Sequence, residues 1–213
     1  MRVLVTGATG LIGTEVIRQL KSRGDEVVTM VRRTPQSESE REWQPDRGYL
    51  QTGTLDGVDA VVNLAGATTG KLPWTKKYKD ELIWSRVRAT ELLVAAMVYA
   101  KKPPKVFVSG SASGFYGDTF DNNKVETDAK GTGFLSDLAH AWEQAALTAP
   151  KKVRVVLVRT TMVMSRSKGA LGRLLPLLRL GIAGPLGPGN QWWAWISLPD
   201  EAAAIIHLID TKT

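Results

Sequence analysis

The stretch Val3-Leu4-Val5-Thr6-Gly7-Ala8-Thr9-Gly10-Leu11-Ile12-Gly13 decides the reading of this chain. A short apolar run that opens at once into glycines at 7, 10 and 13 has the pattern of a buried strand turning tightly into a helix. Gly7 makes the turn. Gly10 lets backbone approach a bound group, and Gly13 lets the new helix pack closely on the strand. The predicted helix carries Ile12, Val16 and Leu20 on one face, with Ile17 beside them and Gly24 as its stop. Its N-terminus presents N–H groups and the positive end of the helix dipole, a setting for a pyrophosphate. The stretch therefore reads as a dinucleotide clamp.

A second strand, Val27-Val28-Thr29-Met30-Val31, ends in Arg32-Arg33. A site for NAD usually carries Asp or Glu here, roughly 20 residues past the glycines, to hold the ribose 2′-hydroxyl. Two cations suit a 2′-phosphate instead, so NADP is expected over NAD. The alternative is a solvated basic loop.

Composition narrows the rest. With 213 residues, 43% of them hydrophobic, the chain can bury a full core. It has no run of 18 uncharged apolar residues and its N-terminus enters a strand directly, so neither a membrane span nor a signal peptide is expected, and the expected location is the cytoplasm. Cysteine is absent, which excludes disulfides, thiolate catalysis and zinc–thiolate sites. The two histidines, His140 and His207, fall in predicted helices and do not make a metal site. The net charge of +7 is scattered, with no basic run interleaved with aromatics, so nucleic acid is not expected as a partner.

Further along, residues 34–42 are polar and without period and read as a surface loop. Residues 58–64 form the next buried strand, ending in Asn63-Leu64-Ala65-Gly66, where small residues leave room for a ligand. A helix is predicted over 75–102, with Tyr78, Leu82, Ile83, Val87, Leu93, Val94 and Val98 facing inward, stopped by Pro103-Pro104. Then come a strand over 105–109, a helix over 134–147, a strand over 153–159 and a helix over 171–180. Residues 181–190 are rich in breakers, 192–196 are strand-like, and Pro199 opens a last helix to Asp210. This alternation predicts an α/β fold, a doubly wound parallel sheet.

Several further marks go beyond the glycines: Val62-Asn63-Leu64-Ala65-Gly66, Trp74-Thr75, Ser85-Arg86-Val87 followed by Thr90, Ser111-Ala112-Ser113-Gly114-Phe115-Tyr116-Gly117, Trp142-Glu143, and Gly184-Pro185-Leu186-Gly187-Pro188-Gly189. With these the chain resembles the extended short-chain dehydrogenase/reductase superfamily, and within it the "epimerase family" grouped with sugar-nucleotide epimerases. The resemblance implies a Rossmann-type fold, NADP or NAD as cofactor, and oxidoreductase or epimerase activity on a small polar substrate such as a sugar nucleotide. It implies that Gly7, Gly10 and Gly13 form the pyrophosphate loop, with backbone N–H groups from Leu11 and Ile12, and that Arg32 faces the adenosine ribose. By the same resemblance Asn63, Ala65 and Gly66 lie beside the nicotinamide-side ribose, and Ser111 polarises a substrate oxygen. Arg159 ends the strand that leads into substrate-contacting loops, with a structural ion pair as the equal alternative.

Two departures qualify this. Aligned on Trp142-Glu143, the tyrosine and lysine of the Tyr-x-x-x-Lys pair fall at Leu135 and Ala139, and neither can transfer a proton. Tyr116, in a glycine-bracketed loop five residues after Ser111, is the remaining proton donor, so Ser111 and Tyr116 are the catalytic candidates; the alternative has Tyr116 only packing over the cofactor. The family also continues past Trp195-Ile196-Ser197-Leu198-Pro199-Asp200-Glu201 into a small lobe over the substrate. Here that lobe is expected to be largely absent, giving a dinucleotide-binding region over 1–160 and a partial substrate-side region over 161–213 on the same sheet. Either the chain is a truncated form or its pocket is open, with Trp192, Trp193 and Trp195 exposed or covered by a partner; the oligomeric state stays open. Loss of the Tyr-Lys pair favours a second function class, a non-catalytic dinucleotide-binding sensor.

Overall fold

The computed structural model describes residues 1–212 apart from 167, 183, 185, 186 and 190. The glycine turn joins β1 (Arg2–Thr6) to α1 (Leu11–Ser22), and β2 (Glu26–Val31), β3 (Glu40–Gln44) and β4 (Tyr49–Leu50) follow on one side of β1. The chain then crosses to the other side with β5 (Ala60–Asn63), α2 (Lys76–Tyr99), β6 (Val106–Ala112), α3 (Phe134–Leu147) and β7 (Arg154–Thr160). The sheet order is β4-β3-β2-β1-β5-β6-β7, parallel except for the β3–β4 pair. Strand order reverses between β1 and β5, so a crevice opens beyond their carboxyl ends, where Thr6 lies opposite Asn63.

Helices cover both faces. Val3, Val5, Ala60 and Val62 meet Val16 and Leu20 of α1 and Ile205 and Ile209 of α5 (Leu198–Asp210). Leu4, Val61 and Phe107 meet Leu93 and Met97 of α2 and Ala146 of α3. Strands buried on both sides need apolar residues at every position, which is why they read as continuous hydrophobic runs. A separate parallel pair, β8 (Met162–Met164) and β9 (Trp195–Ser197), brackets α4 (Gly169–Arg179). None of the described helices is long and apolar enough to cross a membrane.

The structure corrects the sequence reading locally. Residues 40–42, expected as surface loop, open β3, which pairs with β2 in register Thr29↔Glu40. Near the sheet margin only Trp43 of this strand is buried, so no alternation marks it. In α2, Met97 is fully buried while Val98, expected inside, is 55% exposed. Met97 lies four residues on from Leu93 and shares its face; Val98 does not. The strand predicted over 192–196 is confined to β9. Of the breaker-rich run 181–190, and of the family mark at 184–189, residues 183, 185, 186 and 190 lie outside the described residues.

Candidate functional site

At the carboxyl end of β1, Thr6 is fully buried and ties the two sides of the crevice together. Its hydroxyl donates to Asn63 Oδ1 at 2.7 Å and accepts from the amides of Leu64 and Ala65 at 3.0 and 3.1 Å. The next residue, Gly7, turns with φ 66°, and a Cβ there would stand 2.5 Å from the Leu64 carbonyl oxygen. A Cβ on Gly13 would collide with the Gly7 carbonyl. Both glycines are therefore required by backbone contacts, one between β1 and β5, the other between α1 and its own turn.

Gly10 precedes α1 in an ordinary extended conformation and its helix has no side-chain cap. The amides of Leu11, Ile12 and Gly13 open the helix without intrahelical acceptors. No acid lies in the first turn. Glu15, a turn further on, is held by hydrogen bonds from Arg18 and Gln19 that bring its pKa down to about 2. The positive end of α1 is thus left for an outside anion. A cavity of about 120 Å³ adjoins it, lined by Leu11, Thr14, Glu15, Lys168 and Leu198. A larger open hollow of about 620 Å³ lies at the opposite, amino ends of β1 and β2, lined by Arg2, Glu26, Glu38 and Arg41 among others.

Beyond β2, Arg32 is exposed and has no ion pair among the described residues. Arg33 is committed: its two terminal nitrogens donate to the two carboxylate oxygens of Glu40 at 2.8 and 2.7 Å.

On the β5 side, Asn63 is fully buried, and its amide donates to Thr90 Oγ1 at 2.8 Å, which also accepts from the Trp142 indole at 3.0 Å. The Asn63 side chain is thereby spent inside the protein, and Ala65 and Gly66 carry the wall of the crevice with their backbone. Gly66 lies against Arg86; a Cβ there would sit 2.9 Å from the guanidinium carbon. Arg86 donates to the carbonyls of Leu82 and Ala67 and stands over the Trp142 ring at 5.3 Å. Burial pushes its pKa below the usual arginine range. Thr90, Arg86 and Trp142, which the sequence offered only as family marks, are the internal ties of this wall.

The structure joins Ser111, Tyr116 and Arg159 through a residue the sequence reading gave no role. Glu143 of α3, 3% exposed, accepts from Ser111 Oγ at 2.6 Å and takes the Arg159 fork at 2.8 and 2.9 Å. Arg159 also donates to Tyr116 Oη at 2.7 Å and to the Glu126 carbonyl at 3.1 Å, and lies 3.7 Å over the Phe115 ring. Hydrogen bonding to Glu143, then to Tyr116, raises the Arg159 pKa further above its usual value. Tyr116 in turn donates to the Val125 carbonyl at 2.9 Å. Two expectations change in consequence. Ser111 has one hydroxyl proton and gives it to Glu143, not to the crevice, and the Arg159 guanidinium is held inside the protein, as in the ion-pair alternative. Leu135, at the expected tyrosine position, is 43% exposed beside Gly114, while Ala139 is buried.

Glu201, in the first turn of α5, escaped the sequence reading. It is 4% exposed, and its carboxylate accepts from Thr160 Oγ1 at 2.6 Å. Burial raises its pKa above the usual carboxylate range. A raised carboxyl adds stability that is complete below the unfolded-state value near 4.5 and is lost as pH rises through the folded-state value. Glu201→Gln, which keeps an acceptor for Thr160, is expected to match the parent at pH 4 and to exceed its stability at pH 8 in urea unfolding.

The model of the NAD dependent epimerase/dehydratase family matches residues 3–213. "Epimerase family protein ML0860" of Mycobacterium leprae is 39% identical over 212 residues, covering 99% of this chain and 68% of that protein. The human "Epimerase family protein SDR39U1" is 36% identical over 215 residues, covering 100% of this chain and 71% of that protein. The crystal structure of human SDR39U1 isoform 2 with NADPH superposes with a TM-score of 0.90 at 34% identity, over 99% of this chain and 70% of that one. MoeE5 in complex with UDP-glucose and NAD superposes with a TM-score of 0.77 at 25% identity, over 100% of this chain and 73% of that one.

Proposed function

The chain belongs to the NAD-dependent epimerase/dehydratase family, and from that premise we propose that it binds NADP in the crevice between β1 and β5 and acts on a small polar substrate of sugar-nucleotide type. The observation that carries the reading is the uncapped, acid-free start of α1, set against a glycine turn that Leu64 packs from the other side. These residues fit the cofactor. Gly7, Gly10 and Gly13 would pass the pyrophosphate to the amides of Leu11 and Ile12. Arg32, exposed and uncommitted, would take the 2′-phosphate. Ala65 and Gly66 would offer backbone to the nicotinamide-side ribose, with Asn63 holding that wall to β1. A relative crystallised with NADPH supports the choice of NADP, and a neighbour holding UDP-glucose supports the substrate class.

A bound nicotinamide would supply hydride exchange with a substrate carbon. The protein's own part would lie at Tyr116 Oη, which would turn its proton from the Val125 carbonyl to a substrate oxygen, while Arg159, donating to it at 2.7 Å, would hold the phenolate left behind. Ser111 acts through Glu143, as a positioning residue for Arg159. The second reading is the dinucleotide sensor, favoured by two observations: Leu135 and Ala139 have no transferable proton, and the Ser111 hydroxyl donates to Glu143 inside the protein.

Calorimetry tests the cofactor. NADPH is expected to bind more tightly than NADH, and Arg32→Ser to weaken NADPH about tenfold or more while leaving NADH unchanged, the loss of one charge-assisted contact. Failure of both dinucleotides to bind at millimolar concentration overturns the reading; tighter NADH binding overturns the role of Arg32.

A further inference from the structure

Two arginines stand side by side past the end of β2, and only Arg32 is free. The Arg33 fork is filled by a carboxylate: Glu40 offers both oxygens at 2.7 and 2.8 Å, and the backbone carbonyl of Thr34 accepts a third bond at 3.0 Å. The Gln36 amide donates to the same Glu40 carboxylate at 2.7 Å, so this one acid closes the whole turn from β2 into β3. Side-chain exposures of 49% for Arg33 and 16% for Glu40 leave the pair open to solvent on the arginine side. A planar two-oxygen anion in a guanidinium fork has the geometry in which arginine also grips a phosphate. An exposed pair of this kind holds weakly enough to exchange partners.

We propose that Glu40 is a specificity-determining residue that occupies Arg33 in the free protein and is displaced by the 2′-phosphate of NADP. The inference rests on the cofactor reading above and deepens it. The 2′-phosphate is gripped by Arg32 directly and by Arg33 in exchange for Glu40, so part of its attraction is spent on breaking the internal pair. A cofactor with a bare 2′-hydroxyl leaves the Arg33–Glu40 pair intact and gains nothing from its removal.

The test is calorimetry on the parent chain, Glu40→Gln, Arg33→Met and the double variant, with NADPH, NADH, adenosine 2′,5′-bisphosphate and adenosine 5′-monophosphate as probes. Glutamine keeps an acceptor for the Gln36 amide and so preserves the turn. Glu40→Gln is expected to tighten NADPH and the bisphosphate about fivefold and to leave NADH and the monophosphate within twofold. In the Arg33→Met background the same change is expected to bring no gain. An equal effect on all four probes, a gain that survives Arg33→Met, or no gain at all overturns the proposal while the cofactor reading stands. Failure of the parent chain to bind NADPH overturns both.

Discussion

Gly10→Ala is expected to leave the fold standing and to weaken cofactor binding, whereas Gly13→Ala weakens both. The three clamp glycines look equivalent in sequence and are not equivalent in the structure. A Cβ on Gly10 meets the Gly7 carbonyl oxygen at 3.1 Å, a contact relieved by a shift of a few tenths of an ångström, and the residue's φ of −73° suits any amino acid. The empty space above it is what a pyrophosphate would use, so the methyl group would block the ligand and little else. On Gly13 the Cβ would overlap the Gly7 carbonyl and also lie 2.9 Å from its carbon, both rigid backbone. The first turn of α1 would have to lift off the loop, at a cost of about 1–3 kcal/mol. Gly7→Ala adds left-handed strain to a clash with Leu64 and should be at least as damaging. Urea unfolding of Gly10→Ala is expected within about 0.5 kcal/mol of the parent, with NADPH affinity down at least about tenfold. Unchanged NADPH binding by Gly10→Ala would remove the pyrophosphate from this turn.

What the sequence made legible was local. The clamp is eleven consecutive residues whose chemistry is stated by their order, and the strands read clearly because burial on both faces demands apolar residues throughout. β3 was hidden because a marginal strand buries only Trp43 and carries no alternation. The candidate site around Ser111 was legible residue by residue but not as an assembly. Ser111, Tyr116 and Arg159 could each be picked out by position at a strand end, but their common partner Glu143 lies 16 residues from Arg159 and 32 from Ser111. Helical periodicity gives an acid in α3 no sign that it points inward, and only the packing of α3 on β6 and β7 turns it there. For the same reason the sequence could not say which of Arg32 and Arg33 is free, since that depends on where Glu40 lands when β3 pairs with β2. Glu201 stood in the sequence only as the last residue of the stretch 195–201, and its contact with Thr160 at the end of β7 is what reveals a buried carboxyl.

Glu143→Ala is expected to cost about 3–5 kcal/mol of folding stability, among the largest losses any single side chain here would give. The carboxylate is almost fully buried and carries three hydrogen bonds, two from the Arg159 fork and one from Ser111. Its removal leaves a cation, 18% exposed in its side chain, facing an emptied site, with the Tyr116 hydroxyl and ring, the Glu126 carbonyl and the Phe115 ring left to hold it. Glu143→Gln should lose less, because the amide oxygen still accepts, but its NH2 would face either the guanidinium or the Ser111 hydroxyl. If the cost comes from the orphaned charge and not from the cavity, Glu143→Leu combined with Arg159→Met must be milder than Glu143→Ala alone. The four chains can be compared by urea unfolding. A double variant as damaged as the single one would place the cost in packing. A loss below about 1 kcal/mol for Glu143→Ala, the range of a solvated surface pair, would show that Arg159 is held only loosely by Glu143. It would then be free to swing into the crevice and take a substrate anion, as the sequence had suggested for it.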